Sequence, residues 1–198
     1  MFVALWLLPF MDKFFIEVRN RAGKKKTEKE NLKEEFIKKG GIVGYKPVNN
    51  KHTAVIFINE SGDNYADVNF DFIEPIINYC KKNNEDYKVY FCYLSNDFIK
   101  IVRSEYTHKI HIIGHGRMSI LRFEDGYFSY RELQDVEPKE LVAQWHCNHN
   151  DKEEFSLGYL IGKEYHAPYG LTFIPFTKRN IDRLINGKTK PKKNSKFQ

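Results

Sequence analysis

Four runs of the chain are continuously apolar, rich in β-branched and aromatic residues, and each stops abruptly at polar or turn-forming residues. "TAVIFIN" (Thr53 to Asn59) stops at Ser61-Gly62-Asp63-Asn64, and "YKVYFCYL" (Tyr87 to Leu94) stops at Ser95-Asn96-Asp97. "KIHIIGHG" (Lys109 to Gly116) ends on its own glycines, and "ELVAQWH" (Glu140 to His146) runs into Cys147-Asn148-His149. Short unbroken apolar runs of this kind predict strands buried on both faces. Between them the period changes from strand to helix. Phe72, Ile73, Ile76, Ile77 and Cys80 recur at helical spacing before Lys81-Lys82-Asn83-Asn84. Phe98, Ile101 and Val102 share a helical face behind a Ser95 or Asn96 cap. Alternating strands and helices predict an α/β fold, a three-layer sandwich around a mostly parallel central sheet. Right-handed crossovers are expected.

After the third strand the pattern shortens. "SILRFEDGYFSY" predicts a hairpin turning at Glu124-Asp125-Gly126, and Ser129 with Glu132 forms a capping-box pattern opening a short helix. Beyond the fourth strand the spacing predicts a helix from Glu153 to Lys163. The apolar stretch "YGLTFIPF" follows, then a last helix "KRNIDRLIN" closed by Gly187. Residues 1–50 read as an N-terminal extension, Lys-rich and partly helical between Glu28 and Lys39. Residues 51–187 read as the α/β domain, and residues 188–198 as a basic flexible tail.

With 198 residues, 41% of them hydrophobic, one globular domain with appendages is the expected size class. The net charge of +6 gathers at Lys24-Lys25-Lys26 and in the last eleven residues, "KTKPKKNSKFQ". Such runs read as solvated ends, so nucleic acid is not the expected partner. The apolar start "MFVALWLLPF" is ten residues long, against the roughly 20 that cross a bilayer. It also lacks a basic leader and a small-residue cleavage site. It reads as a packed segment or as sequence ahead of a working start at Met11, and no membrane span is expected. Three cysteines are too few for a disulfide framework. A reducing, cytoplasmic setting follows, with Cys80 and Cys92 as small core hydrophobes.

The chemistry concentrates at two strand ends. His115 stands between Gly114 and Gly116, and Cys147 lies just past the end of the next long strand. Ligands of open α/β sheets gather beyond the carboxyl ends of the strands, so parallel strands would bring both residues to one rim. An imidazole can take the proton of a thiol, making it a strong nucleophile, and later return a proton to a leaving group. Backbone N–H groups of Gly116 and Cys147 would complete an oxyanion hole. Single donors of that kind are worth about 3–4 kcal/mol in the transition state.

A strand ending in His-Gly, a short hairpin, and a strand ending in Cys resemble the caspase-like (clan CD) cysteine peptidases, most nearly the compact bacterial CHAT-type members. The resemblance covers roughly Thr53 to Asn186 and rests on the strand order, "HIIGHG", "EDGYFSYREL" and "ELVAQWHCNH". It implies a cysteine endopeptidase acting on a protein or peptide, with His115 as catalytic histidine, Cys147 as nucleophile and Gly116 as oxyanion donor. It implies no cofactor and no metal. A regulatory protein partner and a role as a delivered effector fit the same resemblance. Asp151, Glu153 and Glu154 could select a basic side chain in a substrate, or simply form an acidic first turn of a helix.

Other readings compete. His146, Cys147, His149 and His166 carry zinc-ligand chemistry, but adjacent residues of an extended chain face opposite ways. "IIGHGRM" matches the turn of an α/β-hydrolase except that Gly116 stands where the nucleophilic serine must be. The alternative from another class is a non-catalytic interaction module on the same fold. It would hold an acidic partner or nucleic acid through the basic ends.

Overall fold

The computed structural model describes residues 33–34, 37–38, 40–58, 72–146, 152–167 and 174–198, the side chains of 174–177 excepted. The chain divides into two units, Met1–Lys39 and Gly40–Gln198. In the first, residues 33–34 and 37–38 are helical, inside the helix expected between Glu28 and Lys39.

The second unit is built on a seven-stranded sheet. Its strands are β1 (Ile42–Val43), β2 (His52–Ile58), β3 (Tyr87–Cys92), β4 (Thr107–Ile113), β7 (Lys139–Trp145), β8 (Gly162–His166) and β9 (Lys192–Lys193). Their order is β1-β3-β2-β4-β7-β8-β9, parallel throughout except that β9 runs antiparallel to β8. A separate antiparallel hairpin pairs β5 (Ile120–Phe123) with β6 (Gly126–Ser129), turning at Glu124-Asp125 as expected. The helices are α1 (Ile73–Lys82), α2 (Ser95–Arg103), α3 (Leu157–Ile161) and α4 (Ile174–Ile185).

Register sorts the strand residues by face, because successive side chains alternate. Ala54, Ile56, Ile110, Ile112 and Val142 join one core with Phe98 and Ile101 of α2, Leu121 and Phe128 of the hairpin, and Leu157 and Ile161 of α3. On the other face, Thr53, Lys109 and His111 meet Tyr79 and Cys80 of α1 and Leu184 and Ile185 of α4 around a cavity of about 470 Å³. Helices therefore cover both faces, and the three-layer α/β sandwich expected from the sequence is the architecture observed. All seven residues of β2 are buried, which is why its sequence reads as an unbroken apolar run.

Four expectations are corrected. The stretch from Glu153 to Lys163 is not one helix: a 3-10 turn (Glu153–Phe155) leads into the short α3, and Gly162 already opens strand β8. The sheet begins inside the presumed extension, since Ile42 and Val43 pair with Tyr90 and Phe91 of β3. The supposed flexible tail is built into the fold. Lys192 and Lys193 pair with β8, and the buried Asn194 side chain donates to the Tyr159 and Gly162 carbonyls at 2.7 and 2.9 Å. Finally, α2 is not capped by Ser95 or Asn96. Asp125 of the hairpin turn does that work, accepting the Ser95 N–H at 3.1 Å and its hydroxyl at 2.7 Å.

Candidate active site

β4 and β7 are hydrogen-bonded parallel neighbours, in register from Lys109↔Leu141 to Ile113↔Trp145. Parallel strands deliver their C-terminal ends to the same rim. His115 lies two residues beyond Ile113, and Cys147 two residues beyond Trp145 in the sequence. Cys147 itself falls outside the described residues, as do His149 and Asp151.

The glycines that flank His115 are demanded by close packing, not by turn conformation, for neither has a positive φ. A Cβ on Gly114 would sit 2.8 Å from the Ile58 Cβ of β2. A Cβ on Gly116 would overlap the Ile120 carbonyl oxygen and come within 3.3 Å of His146 Nδ1. Gly116 faces Leu121 in an antiparallel bridge. The bridge's two bonds run from the Arg117 N–H to the Ile120 oxygen at 2.8 Å and from the Arg122 N–H to the His115 oxygen at 3.0 Å. Both are made by residues flanking Gly116, so its own N–H is directed out of the hairpin pair. The hairpin thus fixes the His115 backbone and leaves the Gly116 donor turned elsewhere.

His115 is partly buried. That burial, and secondarily the Arg122 charge, lower its pKa from the ordinary 6.5 to about 4, so the imidazole is neutral at physiological pH. A neutral imidazole can accept a proton, but at about 4 it is a far weaker base than one poised near the working pH. The other two thiols are unsuited to nucleophilic work. Cys80 and Cys92 are fully buried, and burial raises the Cys80 thiol to about 11 and the Cys92 thiol further still.

Two partners of His146 at this rim, Tyr130 and Gln144, were not singled out by their sequence pattern. Gln144 on β7 and His146, one residue past its end, are both fully buried polar residues whose spacing of two brings them to one face. His146 Nε2 lies 2.8 Å from the Tyr130 hydroxyl and 3.0 Å from the Gln144 amide nitrogen. Gln144 in turn accepts the Gly158 N–H at 2.9 Å. This anchoring within the core takes His146 out of the zinc-ligand set weighed above. On the opposite face of β7, Trp145 packs its ring 5.0 Å from His166 and donates its indole N–H to His111. The available signal was the period of two: polar residues at 144 and 146 interrupt an apolar run on one face only.

The acidic residues considered for substrate selection have local partners. Glu153 holds Lys192 of β9 at 2.6 and 2.8 Å, and Glu154 lies 3.7 Å from Lys152. Among the described residues, no group of three or more His, Cys, Asp or Glu side chains is placed to hold a metal ion. Nor is any helix among them long and apolar enough to cross a membrane. No known family model matches the chain, and no curated protein matches it.

Proposed function

We propose that this protein is a cysteine endopeptidase of caspase-like type, working through a dyad of His115 and Cys147. The observation that carries the reading is the register pair Ile113↔Trp145 between parallel neighbours, with the histidine and the cysteine each two residues further along. The hairpin bridge, which leaves the Gly116 N–H directed out of the pair, supports the reading further.

In this mechanism the Cys147 thiol passes its proton to His115 as its sulfur attacks the scissile carbonyl. The N–H groups of Gly116 and Cys147 take the developing oxyanion. His115 then gives the proton to the departing amine, leaving a thioester on Cys147. Water, deprotonated by His115, cleaves the thioester and releases the carboxylic acid and the free thiol. None of these steps calls on a cofactor.

The test is covalent trapping. A panel of peptidyl chloromethyl ketones, each with a different residue next to the warhead, is incubated with the protein and the adduct located by peptide mapping. The proposal expects a saturable adduct on Cys147 that His115→Ala slows by at least about a hundredfold. Failure of every panel member to saturate Cys147 labelling would refute it. The interaction-module reading draws on a different observation: Lys188, Lys190, Lys193 and Lys196 are exposed along an ordered C-terminal segment. It expects salt-sensitive binding of an acidic partner or nucleic acid that survives Cys147→Ala.

A further inference from the structure

The cavity of about 470 Å³ beside α1 and α4 lies toward the amino ends of the strands, away from the rim that carries His115. Its floor is a cross-strand row. The register sets Thr53 beside Lys109, Lys109 beside Leu141, and Leu141 beside Glu164. Tyr79, Leu184 and Pro191 line it as well. The volume falls within the range of about 300–1,000 Å³ typical of small-molecule sites.

The row ends in opposite charges with bonding capacity to spare. Lys109 Nζ gives one N–H to Glu85 Oε1 at 2.7 Å, and the Thr53 hydroxyl donates to the other Glu85 oxygen at 3.3 Å. An ammonium has three N–H groups, so Lys109 keeps two that meet no acceptor among the described residues. His111, 3% exposed, borders the same cavity and accepts the Trp145 N–H at Nδ1. Burial, aided by the Lys109 charge, lowers its pKa to about 3, so the ring is neutral and its proton is on Nε2, a second donor. At the far end the half-buried Glu164 makes no side-chain hydrogen bond or ion pair among the described residues. Two strand spacings, about 10 Å, separate the Lys109 and Glu164 backbones, with the apolar Leu141 between them. Glu140 and Lys163 also border the cavity, but both are exposed and screened by solvent. We infer that this cavity binds a small zwitterion with an apolar spacer, its carboxylate on Lys109 and His111, its methylenes over Leu141 and its ammonium on Glu164. A linear ω-amino acid is the simplest such ligand. An α-amino acid, with its two charges on neighbouring carbons, spans the row poorly. The site shares no residue with the proposed dyad and does not rest on it.

The test is isothermal titration calorimetry of the full chain at pH 7.5 with β-alanine, 4-aminobutanoate and 6-aminohexanoate. Hexanoate and hexylamine serve as controls carrying one charge each. Affinity is expected to rise with length, and 6-aminohexanoate to bind with a Kd of about 1 mM or tighter. It should bind at least about tenfold more tightly than either control, the factor that one hydrogen bond to a charged group supplies. Glu164→Gln is expected to weaken 6-aminohexanoate by about tenfold and to leave hexanoate unchanged. Leu141→Trp, which fills the floor, is expected to abolish binding of the zwitterion. Circular dichroism and a urea midpoint report folding of both variants, and the wild-type series decides the matter if either fails to fold. Absence of binding by all three amino acids up to about 10 mM overturns the inference. So does a β-alanine or single-charge control that binds as tightly as 6-aminohexanoate, or a folded variant of either kind with wild-type affinity. Cys147 enters none of these readouts, so the dyad stands or falls separately.

Discussion

The Trp145 indole N–H donates to Nδ1 of His111 at 3.2 Å, joining the two strands whose ends carry the candidate dyad. The bond requires His111 Nδ1 to be unprotonated, and burial, aided by the Lys109 charge, keeps it so by lowering its pKa to about 3. Burial likewise lowers His115 and His166 to about 4, each with help from a nearby cation.

These shifts make stability depend on pH with a definite sign. The three histidines have folded pKa values below the ordinary 6.5, so between about 4 and 6.5 the unfolded chain binds more protons than the folded one. Their contribution is intact above 6.5 and is lost as pH falls. Each titrating histidine adds up to about 1.4 kcal/mol per pH unit. Urea midpoints from pH 7.5 down to 5 should therefore fall steadily. His111→Leu should lower stability at pH 7.5 by about 1–3 kcal/mol through the orphaned indole N–H, yet show a shallower decline. An unchanged slope in that variant would contradict the assignment.

Gly116→Ala is expected to be costly. The added methyl meets backbone, the Ile120 carbonyl, where no side chain can swing aside. Overpacking of this kind costs about 1–3 kcal/mol, and here the relief must come from moving the hairpin that holds His115. Urea unfolding should show that loss, and Cys147 trapping should fall more than stability alone explains. A variant with wild-type midpoint and wild-type trapping would show that the close approach is unimportant.

Asn194 is expected to decide whether the C-terminal segment stays docked. Its side chain donates to two carbonyls and accepts the Lys196 N–H at 3.1 Å, from a position 1% exposed. Asn194→Ala leaves those carbonyls unpaired, at about 1–3 kcal/mol. Brief trypsin treatment should then cut at Lys192 and Lys193 in the variant well before it does so in wild type. Equal cutting would mean that β9 is held by other contacts.

The layered α/β fold was legible because β2, β3, β4 and β7 are interior strands, buried on two faces, and their composition announces it. β8 and the edge strand β9 were not legible. β8 reads "GKEYH", with Lys163 exposed and Tyr165 buried, and its glycine and charges gave no apolar run to detect. β9 is Lys-Lys, which composition assigns to solvent; it is held by backbone pairing and by a side chain one residue later. At the candidate site, His115 stood out by its glycines, although those glycines answer to Ile58 and Ile120, contacts that no local pattern reveals. Tyr130 was silent for the same reason, since its meeting with His146 joins residues 16 apart, whereas Gln144 left only its period-of-two trace.

The most direct measurement is the second-order rate of iodoacetamide with Cys147 at pH 6, against a small-molecule thiol and against the His115→Ala protein. An unassisted thiol near pKa ~8.5 holds well under 1% thiolate there. The account predicts a Cys147 at least about tenfold faster than either reference, through general-base help from a neutral His115 and not through a thiolate held as an ion pair. A rate equal to the free thiol and untouched by His115→Ala would contradict the pairing on which the proposed chemistry stands.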